Sequence, residues 1–345
     1  MVSKVLICGF GAFGELHATA WRRLDPAITL MVADPTERAR SRALQLGVAP
    51  NDIAADPTTL LNSADIVDIV APPAFHMPLA LQALAVGKPV MIEKPAVETV
   101  ADARALLEAA GDLPVQVGLV LRAHPLVSEA ARLMAEGKIG ELLAMDSDFS
   151  GWKRMRADSS LLENDGVHFL DLMRHFAGAP AIEVEARSWS LLDAAVADDI
   201  TIEISFVGGV RGRLRLGVLI AGEVEDAFVP GAVTTKRLTL IGRTGNIAID
   251  FNRNTLTIST VSYTRSSGGH NVQPQSVASN IALGVTPEAL LSRSFAIFCD
   301  ALRAGTPVLC EARQGALELA ATLAAVNAEL NAETRRPSRI QGDLS

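Results

Sequence analysis

The amino-acid sequence predicts two domains: an α/β domain with a doubly wound parallel sheet over residues 1–121, and an α+β domain with a large, predominantly antiparallel, open-faced sheet over residues 122–345. The chain has 345 residues, which exceeds the ~250–300 residues that one hydrophobic core usually serves. Up to residue 121, short apolar runs alternate with helical patterns, as in a parallel sheet with crossover helices. Beyond residue 141, alternating runs follow one another with turn residues between them, which is typical of antiparallel strands.

Composition limits the class of partner. A formal charge of −8 without a basic stripe argues against nucleic acid. No apolar run approaches the ~18–20 residues that span a bilayer, and the chain enters a strand at Lys4 without a signal-like segment. The three cysteines, Cys8, Cys299 and Cys310, are far apart and include no C-x-x-C, so we expect free thiols, no structural zinc and a cytoplasmic protein.

The first predicted strand, residues 4–8, runs into a turn with the spacing G-x-G-x-x-G at residues 9–14. A helical pattern follows, and a second apolar run ends at Asp34, 20 residues after Gly14. In a dinucleotide-binding (Rossmann) fold, Gly9 would permit the tight turn, Gly11 the approach of backbone N–H groups to a pyrophosphate, and Gly14 close helix–strand packing. This context predicts a dinucleotide site, which the glycines alone would not.

Asp34 bears on the choice of dinucleotide. A carboxylate at this place accepts hydrogen bonds from the ribose hydroxyls of NAD and repels the 2′-phosphate of NADP. Arg38 and Arg40 lie on the next predicted helix, residues 36–46, and would soften that repulsion. NAD is therefore the favoured cofactor, with NADP as the alternative.

Two further strand ends carry residues of chemical interest. The apolar run 66–70 ends in Ala-Pro-Pro at 71–73, where proline lacks the N–H that would continue the strand, and His76 follows. The apolar run that ends at residue 92 is followed by Glu-Lys-Pro at 93–95. Ligands bind at the carboxyl ends of the strands in open α/β sheets, so these segments are expected at the same edge as the glycine-rich turn.

The order of these motifs resembles the Gfo/Idh/MocA family, which includes glucose–fructose oxidoreductase and inositol dehydrogenase. The glycine-rich turn, Asp34, Pro-Pro with His76, Glu-Lys-Pro and Arg122 carry the resemblance, and Glu-Lys-Pro is its most specific part. The resemblance implies an NAD(P)-dependent oxidoreductase of a sugar, cyclitol or related polyol. It also implies a homodimer or homotetramer that forms through the open face of the C-terminal sheet. The expected cofactor contacts are Gly9, Phe10, Gly11, Ala12, Phe13, Gly14, Asp34, Arg38, Ala71, Pro72, Pro73, His76, Glu93 and Lys94.

Lys94 is the predicted acid–base residue. Oxidation of an alcohol needs a base for the hydroxyl proton, and a lysine serves when its pKa falls well below the usual ~10.4. Partial burial and a nearby positive charge act in that direction. From the residues alone, a solvated Glu–Lys turn explains the motif equally well. The resemblance favours catalysis, because in the family this lysine lies beside the nicotinamide.

A second candidate cluster lies near the start of a helix predicted over residues 161–176. On an α-helix, Asn164 and His168 share a face one turn apart, and Asp171 follows on that side. His168 is the predicted proton relay, because histidine titrates near neutral pH and this one matches the family's histidine. The family pattern has Asp where this chain has Asn164. We expect Asn164 to orient a substrate hydroxyl, with Asp165, ~100° around the helix, as a lesser candidate for the carboxylate role.

Basic and aromatic side chains surround these groups in the sequence. The expected substrate contacts, besides Lys94, Asn164 and His168, are Arg122, His124, Trp152 and Arg154. With Lys153 and Arg156 they would bind a polyol, or an acidic or phosphorylated group. A solvated charged loop is the alternative for each. The histidines lack ligand spacing, so no metal site is expected.

The second domain is expected to begin with a helix over 125–136. Its predicted strands are 142–147, 182–190, 200–206, 211–219, 237–241, 246–250 and 255–261. Helices over 161–176, 287–304 and 312–333 are expected to cover one face of this sheet. The stretches 221–235 and 264–285 lack strong periodicity and are interpreted as loops.

These features predict a dehydrogenase that transfers hydride between NAD and a carbinol carbon of a sugar, cyclitol or related polyol. One alternative is a non-catalytic NAD-binding sensor or regulator, since a fold alone does not fix function. Another is an enzyme of a nucleotide-sugar, an anhydrosugar or an aldehyde.

Overall fold

The computed structural model describes residues 2–155, 160–192, 196–226, 229, 231–282 and 284–331. The first sheet has six strands in the order β3-β2-β1-β4-β5-β6, and every neighbouring pair is parallel. Its strands are β1 (Lys4–Cys8), β2 (Thr29–Ala33), β3 (Ile53–Ala54), β4 (Ile66–Ile69), β5 (Val90–Ile92) and β6 (Val115–Val117). This strand order is that of a doubly wound dinucleotide-binding sheet, so the predicted fold of the first domain is confirmed.

Five helices belong to this part of the chain. They are α1 (Ala12–Leu24), α2 (Glu37–Gln45), α3 (Thr58–Leu61), α4 (His76–Ala85) and α5 (Val100–Ala110). Every residue of β4, β5 and β6 is buried, which explains why these strands appear in the sequence as continuous apolar runs. The one charged residue within them is Asp68, at the centre of β4.

The second sheet has nine strands, most of them in the order β15-β14-β13-β12-β7-β10-β9-β8, with β11 beside β12. Among the described strands of this second sheet, only the pair β7–β10 is parallel, so the predicted mostly antiparallel sheet is confirmed. The strands are β7 (Leu142–Trp152), β8 (Ala181–Trp189), β9 (Asp199–Phe206), β10 (Arg211–Gly217), β11 (Val224–Glu225), β12 (Val233–Gly242), β13 (Gly245–Asp250), β14 (Thr255–Ser266) and β15 (Gly269–Ile281).

Helices cover one face of this sheet. They are α6 (Pro125–Ala135), α7 (Val167–Ala177) and α9 (Leu319–Leu330), and π-helical turns precede α7 (Leu162–Gly166) and α9 (Arg313–Glu318). On the other face, Arg211, Arg213 and Arg215 of β10 point outward, in alternation with buried Gly212, Leu214 and Leu216. None of the helices in the described ranges is long and apolar enough to cross a membrane.

The expectation for the helix predicted over 287–304 is wrong. This helix, α8 (Pro287–Ala304), packs on α1 of the first domain and not on the second sheet. Phe295 stacks on Trp21 with ring centroids 4.1 Å apart, in an apolar cluster centred on the first domain. Periodicity identifies the buried face of a helix but not the surface that it meets. We retain the boundary at residue 121 as a proposal, with α8 returning to the first domain.

The interpretation of residues 264–285 as a loop is also wrong. Residues of β14 and β15 form a long antiparallel hairpin, and every residue of β15 is exposed. A strand that is exposed on both faces has no reason to alternate apolar and polar residues, so the periodic signal is missing. In the other stretch, 221–235, the structure has the short strand β11 and the start of β12, and residues 227, 228 and 230 lie outside the described part.

Candidate active site

A large cavity lies at the carboxyl ends of β1, β2 and β4. Its volume is about 1370 Å³, and the glycine-rich turn and the residues after β2 and β4 wall it. The predicted cofactor residues that line it are Gly9, Phe10, Gly11, Ala12, Asp34, Arg38, Ala71 and Pro72. A cavity at this edge of a doubly wound sheet is where a dinucleotide would bind.

The three motif glycines have different local surroundings. Gly9 has φ +97°, and a Cβ there would lie 2.6 Å from the backbone nitrogen of Ala71. A Cβ on Gly14 would lie 2.3 Å from the carbonyl oxygen of Gly9, so the helix could not pack against the turn. A Cβ on Gly11 would meet no protein atom within 4 Å. The space beside Gly11 is therefore open to a ligand, as a pyrophosphate cradle requires.

Asp34 is fixed at the cavity by its own hydrogen bonds. One carboxylate oxygen accepts from the backbone N–H and hydroxyl of Thr36 at 2.8 and 2.7 Å, and the other accepts from the Phe10 N–H at 2.8 Å. Arg40 donates to the backbone carbonyls of Asp34 and Pro35 instead of facing the cavity. The carboxylate thus presents a fixed negative charge, which suits ribose hydroxyls better than a 2′-phosphate.

The remaining predicted cofactor residues do not line the cavity. Phe13 packs beside His17 with ring centroids 5.1 Å apart, and Pro73 begins a short 3-10 turn. His76 and Glu93 are buried beneath the strand ends. Their contact with the cofactor stays a prediction.

Lys94 forms a contact between the two domains. It follows β5, and its Nζ donates to the main-chain carbonyl of Asn164 at 3.0 Å, with that of Glu163 at 3.4 Å. Both carbonyls belong to the π-helical turn before α7. The structure thus brings the lysine of Glu-Lys-Pro to the second predicted cluster, across 70 residues of sequence.

The helix predicted over 161–176 begins with a π-helical turn and not with a regular α-helix. Asn164, Asp165 and His168 all line one pocket of about 140 Å³. A Cβ on Gly166 would lie 2.8 Å from a methyl of Leu216, so glycine lets the turn pack against β10. Single π-helical turns of this kind are frequent at functional sites.

His168 presents an imidazole whose Nδ1 is buried without a hydrogen-bond partner. Burial lowers its pKa well below the ordinary value, and the positive charges of Lys94 and Lys236 add to the effect. The ring is therefore neutral near pH 7 and able to accept a hydrogen bond or a proton. An orphaned buried nitrogen in a pocket points to a ligand that would satisfy it.

Two buried lysines flank the ring of Phe149 in the same region. Lys153 Nζ lies 2.6 Å from Asp165 and 3.8 Å from the ring centroid. Lys236 Nζ lies 2.8 Å from Asp226 and 4.6 Å from the ring centroid. Burial lowers the pKa of Lys236, an effect that Asp226 opposes. Each charge in this wall is thus balanced by a close opposite charge.

His124 and Asn254 form a further part of the pocket wall. His124 Nδ1 accepts from the Leu126 N–H at 3.1 Å, so Nε2 carries the proton and donates to the Asn254 Oδ1 at 3.1 Å. Burial lowers the pKa of His124 to about 4, which keeps this donor arrangement at neutral pH. Asn254 has φ +53°, which asparagine tolerates better than most residues.

Comparison with known proteins gives two matches that together cover most of the chain. Residues 3–120 match the family model described as "Oxidoreductase family, NAD-binding Rossmann fold". Residues 127–248 match the model described as "GFO/IDH/MocA C-terminal domain". The chain belongs to the Gfo/Idh/MocA family.

Named relatives agree with the family assignment. The chain is 26% identical over 195 residues to inositol 2-dehydrogenase 2 of Saccharopolyspora erythraea, covering 54% of this chain and 58% of that protein's length. It is 30% identical over 251 residues to inositol 2-dehydrogenase of Rubrobacter xylanophilus, covering 65% of this chain and 70% of that protein. The crystal structure of UDP-N-acetylglucosamine 3-dehydrogenase from Acidithiobacillus ferrooxidans has a TM-score of 0.75 at 24% identity, over 96% of this chain and 100% of that one. At this identity the structural likeness shows the shared fold.

Arg122, expected as a substrate ligand, has its guanidinium bound elsewhere in this Gfo/Idh/MocA protein. Its Nε and Nη2 donate to both carboxylate oxygens of Asp171 at 2.8 and 2.6 Å, and its Nη1 donates to Gln314 and the Leu309 carbonyl. The pair is almost fully buried. In this structure Arg122 connects the domain junction to Asp171 of α7, and its contact with substrate stays a prediction.

The loop before the π-helical turn is also not assembled as expected. Trp152 is exposed and directs its indole N–H toward the Leu219 carbonyl at 3.4 Å. Arg154 is exposed, and neither residue lines the pocket. Arg156 lies outside the described residues. Lys153 from this segment turns inward, toward Asp165.

Sequence reasoning missed the residues that β12 and the β13–β14 turn bring to the pocket: Lys236, Asn252 and Asn254. One signal was available. On β12, Thr234, Lys236, Leu238 and Leu240 share the buried face. A lysine among buried positions of an alternating strand is unusual and suggests a paired or functional charge. Within the described residues, no group of three or more His, Cys, Asp or Glu side chains could hold a metal ion.

Proposed function

We propose that this protein is an NAD-dependent dehydrogenase that oxidises a carbinol carbon of a sugar, cyclitol or related polyol. The observation that carries the proposal is the contact of Lys94 with the π-helical turn before His168, at the same edge of the first sheet as the large cavity. NAD, when bound, supplies the hydride acceptor. The residues of this chain then have to bind the alcohol, orient it and accept its proton.

The proton is the task of Lys94. Its Nζ lies 3.0 Å from the Asn164 carbonyl and 3.4 Å from the Glu163 carbonyl, which holds the amine at the second candidate cluster. In the oxidation, Lys94 has to be deprotonated first; it then takes the hydroxyl proton while hydride leaves the carbon that bears this hydroxyl, and the reverse reaction returns the proton. His168 is neutral, and its unpartnered Nδ1 can accept from the same substrate hydroxyl or pass the proton on.

The pocket wall supports a neutral polyol as substrate. Asn164, Asn252 and Asn254 provide amides, which both donate and accept, as hydroxyl groups require. Phe149 and Phe251 give apolar surface for the C–H face of a ring. The volume of about 140 Å³ favours a compact sugar or cyclitol over a nucleotide-sugar. The inositol dehydrogenases among the relatives support the same class.

Turnover with a panel of sugars and cyclitols, followed by NADH absorbance, tests the proposal. Lys94→Met and His168→Gln should each lower kcat/KM by at least ~100-fold, as loss of a general base does. Lys138→Met, an exposed lysine with a weak ion pair, is the matched control and should keep wild-type turnover. Full activity in Lys94→Met would refute its role. Tight NAD binding without turnover of any substrate would favour the sensor alternative.

We also propose a cytoplasmic homo-oligomer. Support for assembly comes from the outward face of the second sheet, where Arg211, Arg213 and Arg215 point away from the helices. The free thiols of Cys8, Cys299 and Cys310 support a reducing compartment. Sedimentation or light scattering of the purified chain would give the number of subunits.

A further inference from the structure

The residues on either side of Lys94 each contact a buried histidine. Glu93 faces His17 of α1, and the carbonyl of Pro95 faces His76 of α4. His17 is 0% exposed and His76 is 1% exposed. Burial of two histidines around one loop is uncommon, because imidazole usually keeps contact with water.

His17 joins two carboxylates. Its Nδ1 lies 2.9 Å from Asp68, which also accepts from the indole N–H of Trp21 at 2.7 Å. Its Nε2 lies 3.3 Å from one oxygen of Glu93, and the other oxygen accepts from the Lys94 N–H at 3.1 Å. Burial alone would lower the pKa of His17, but the two carboxylates raise it to about 10. The ring is therefore an imidazolium at neutral pH, hydrogen-bonded to Asp68 through Nδ1 and ion-paired with Glu93 through Nε2.

The side chain of Glu93 is closely packed. A Cβ on Gly118 would lie 2.4 Å from a carboxylate oxygen of Glu93, so the backbone just after β6 passes directly beside this side chain. The rings of Phe13 and Phe295 lie 5.1 and 5.3 Å from that of His17. His17, and Glu93 with it, thus has little room to move.

His76 contacts the backbone that follows Lys94. Its Nδ1 lies 2.8 Å from the Pro95 carbonyl and its Nε2 lies 2.7 Å from the Ala71 carbonyl. Both oxygens only accept, so the ring donates to one of them as neutral imidazole and to both when doubly protonated. The contact ties the Lys94 loop to the end of β4, which lines the dinucleotide cavity.

We propose that His17 and His76 are positioning residues that fix the backbone before and after Lys94, and so set where its amine meets the substrate. The inference rests on the proposed function, because it assigns Lys94 a reacting proton. A shift of ~1 Å in a reacting group can cost ~100-fold in rate. The alternative is a purely structural role, in which both histidines stabilise the first domain and have no effect on the reaction.

Four variants distinguish the positioning role from a purely structural role: His17→Gln, Trp21→Phe, His76→Gln and His76→Ala. Trp21→Phe keeps an aromatic ring against Phe295 but removes the hydrogen bond to Asp68 and part of a buried ring, so it perturbs the Asp68–His17 pair without changing His17 itself. His76→Gln retains a donor, and it should recover part of the activity that His76→Ala loses. His175→Gln is the control, since this part-buried histidine packs on Phe176 away from Lys94.

Positioning predicts that kcat falls ~10–100-fold in the His17 and His76 variants, with KM and NAD affinity within about twofold and a shifted pH profile of kcat/KM. Trp21→Phe should show the same change more weakly, and the control should show none. If all four fold and keep wild-type kcat and pH profile, with only a lower Tm, the proposal is overturned. If Lys94→Met itself keeps full activity, the proposed function has failed instead.

Discussion

Replacement of Arg122 by methionine should destabilise the protein strongly. The guanidinium and the Asp171 carboxylate are joined by two hydrogen bonds of 2.8 and 2.6 Å, and the side chains are 1% and 2% exposed. Arg122→Met would leave the Asp171 carboxylate buried without its partner. Removal of one partner of a buried pair costs ~3–5 kcal/mol of unfolding free energy, because the remaining charge is neither solvated nor balanced.

The double variant Arg122→Met/Asp171→Leu provides the decisive comparison. It removes both charges, so the desolvation cost disappears with them. What remains is the loss of the hydrogen bonds to Gln314 and the Leu309 carbonyl, at ~1 kcal/mol each. We therefore expect the double variant to be more stable than Arg122→Met by at least ~1–2 kcal/mol.

Urea unfolding measures these differences, and steady-state kinetics at a temperature where every variant is folded measures the effect on the substrate. The structural role predicts a large loss of stability and little change in KM. A stability loss below ~1 kcal/mol together with a raised KM would show instead that Arg122 binds substrate, as its sequence position suggested.

Three other substitutions test separate features of the structure. Asp34→Ser should raise the ratio of kcat/KM for NADP over NAD by ~10-fold or more, because the fixed negative charge at the ribose disappears; an unchanged ratio would show that Asp34 does not select the cofactor. The raised pKa of His17 means that its contribution to the free energy of unfolding is fully present below pH 6.5 and is lost as the pH rises towards about 10. His17→Gln should therefore remove this alkaline decline in urea unfolding. A decline that persists in the variant would contradict the assignment. Arg213→Glu, which places a carboxylate beside Asp146 on the outward face, should reduce the assembly mass in light scattering relative to the control Arg303→Glu on α8, whereas equal masses would argue against that face as the interface.

The residues whose positions were predicted well are those that directly follow a strand of the parallel sheet. A glycine-rich turn, Asp34 and the residues after β4 and β5 lie at strand ends, and the parallel sheet brings all strand ends to one edge. Their positions therefore follow from topology without knowledge of side-chain packing. Lys94 belongs to this group. Its proximity to the region of His168 could be predicted because both halves of the chain resemble a known family.

The parts predicted poorly depend on contacts between distant segments. Lys236 reaches the pocket because β12 lies beside β7, and Asn254 does so because His124, from before α6, holds its amide. The destination of α8 was misjudged for the same reason: its apolar face fits Trp21 of α1, and a single periodic pattern carries no information about its partner. The partner of Arg122 also lies far away in the sequence: its guanidinium pairs with the buried carboxylate of Asp171.

Asn164 shows how structure changes the meaning of a substitution. From the sequence, an amide in place of a carboxylate weakens the expected partnership with Lys94. The lysine, however, donates to the main-chain carbonyl of residue 164, a contact that does not depend on the side chain. The π-helical turn also brings the next carboxylate, Asp165, to the same pocket, where Lys153 balances its charge. The amide therefore leaves the anchoring of Lys94 intact, and the carboxylate of this pocket wall lies one residue later, paired with a second lysine.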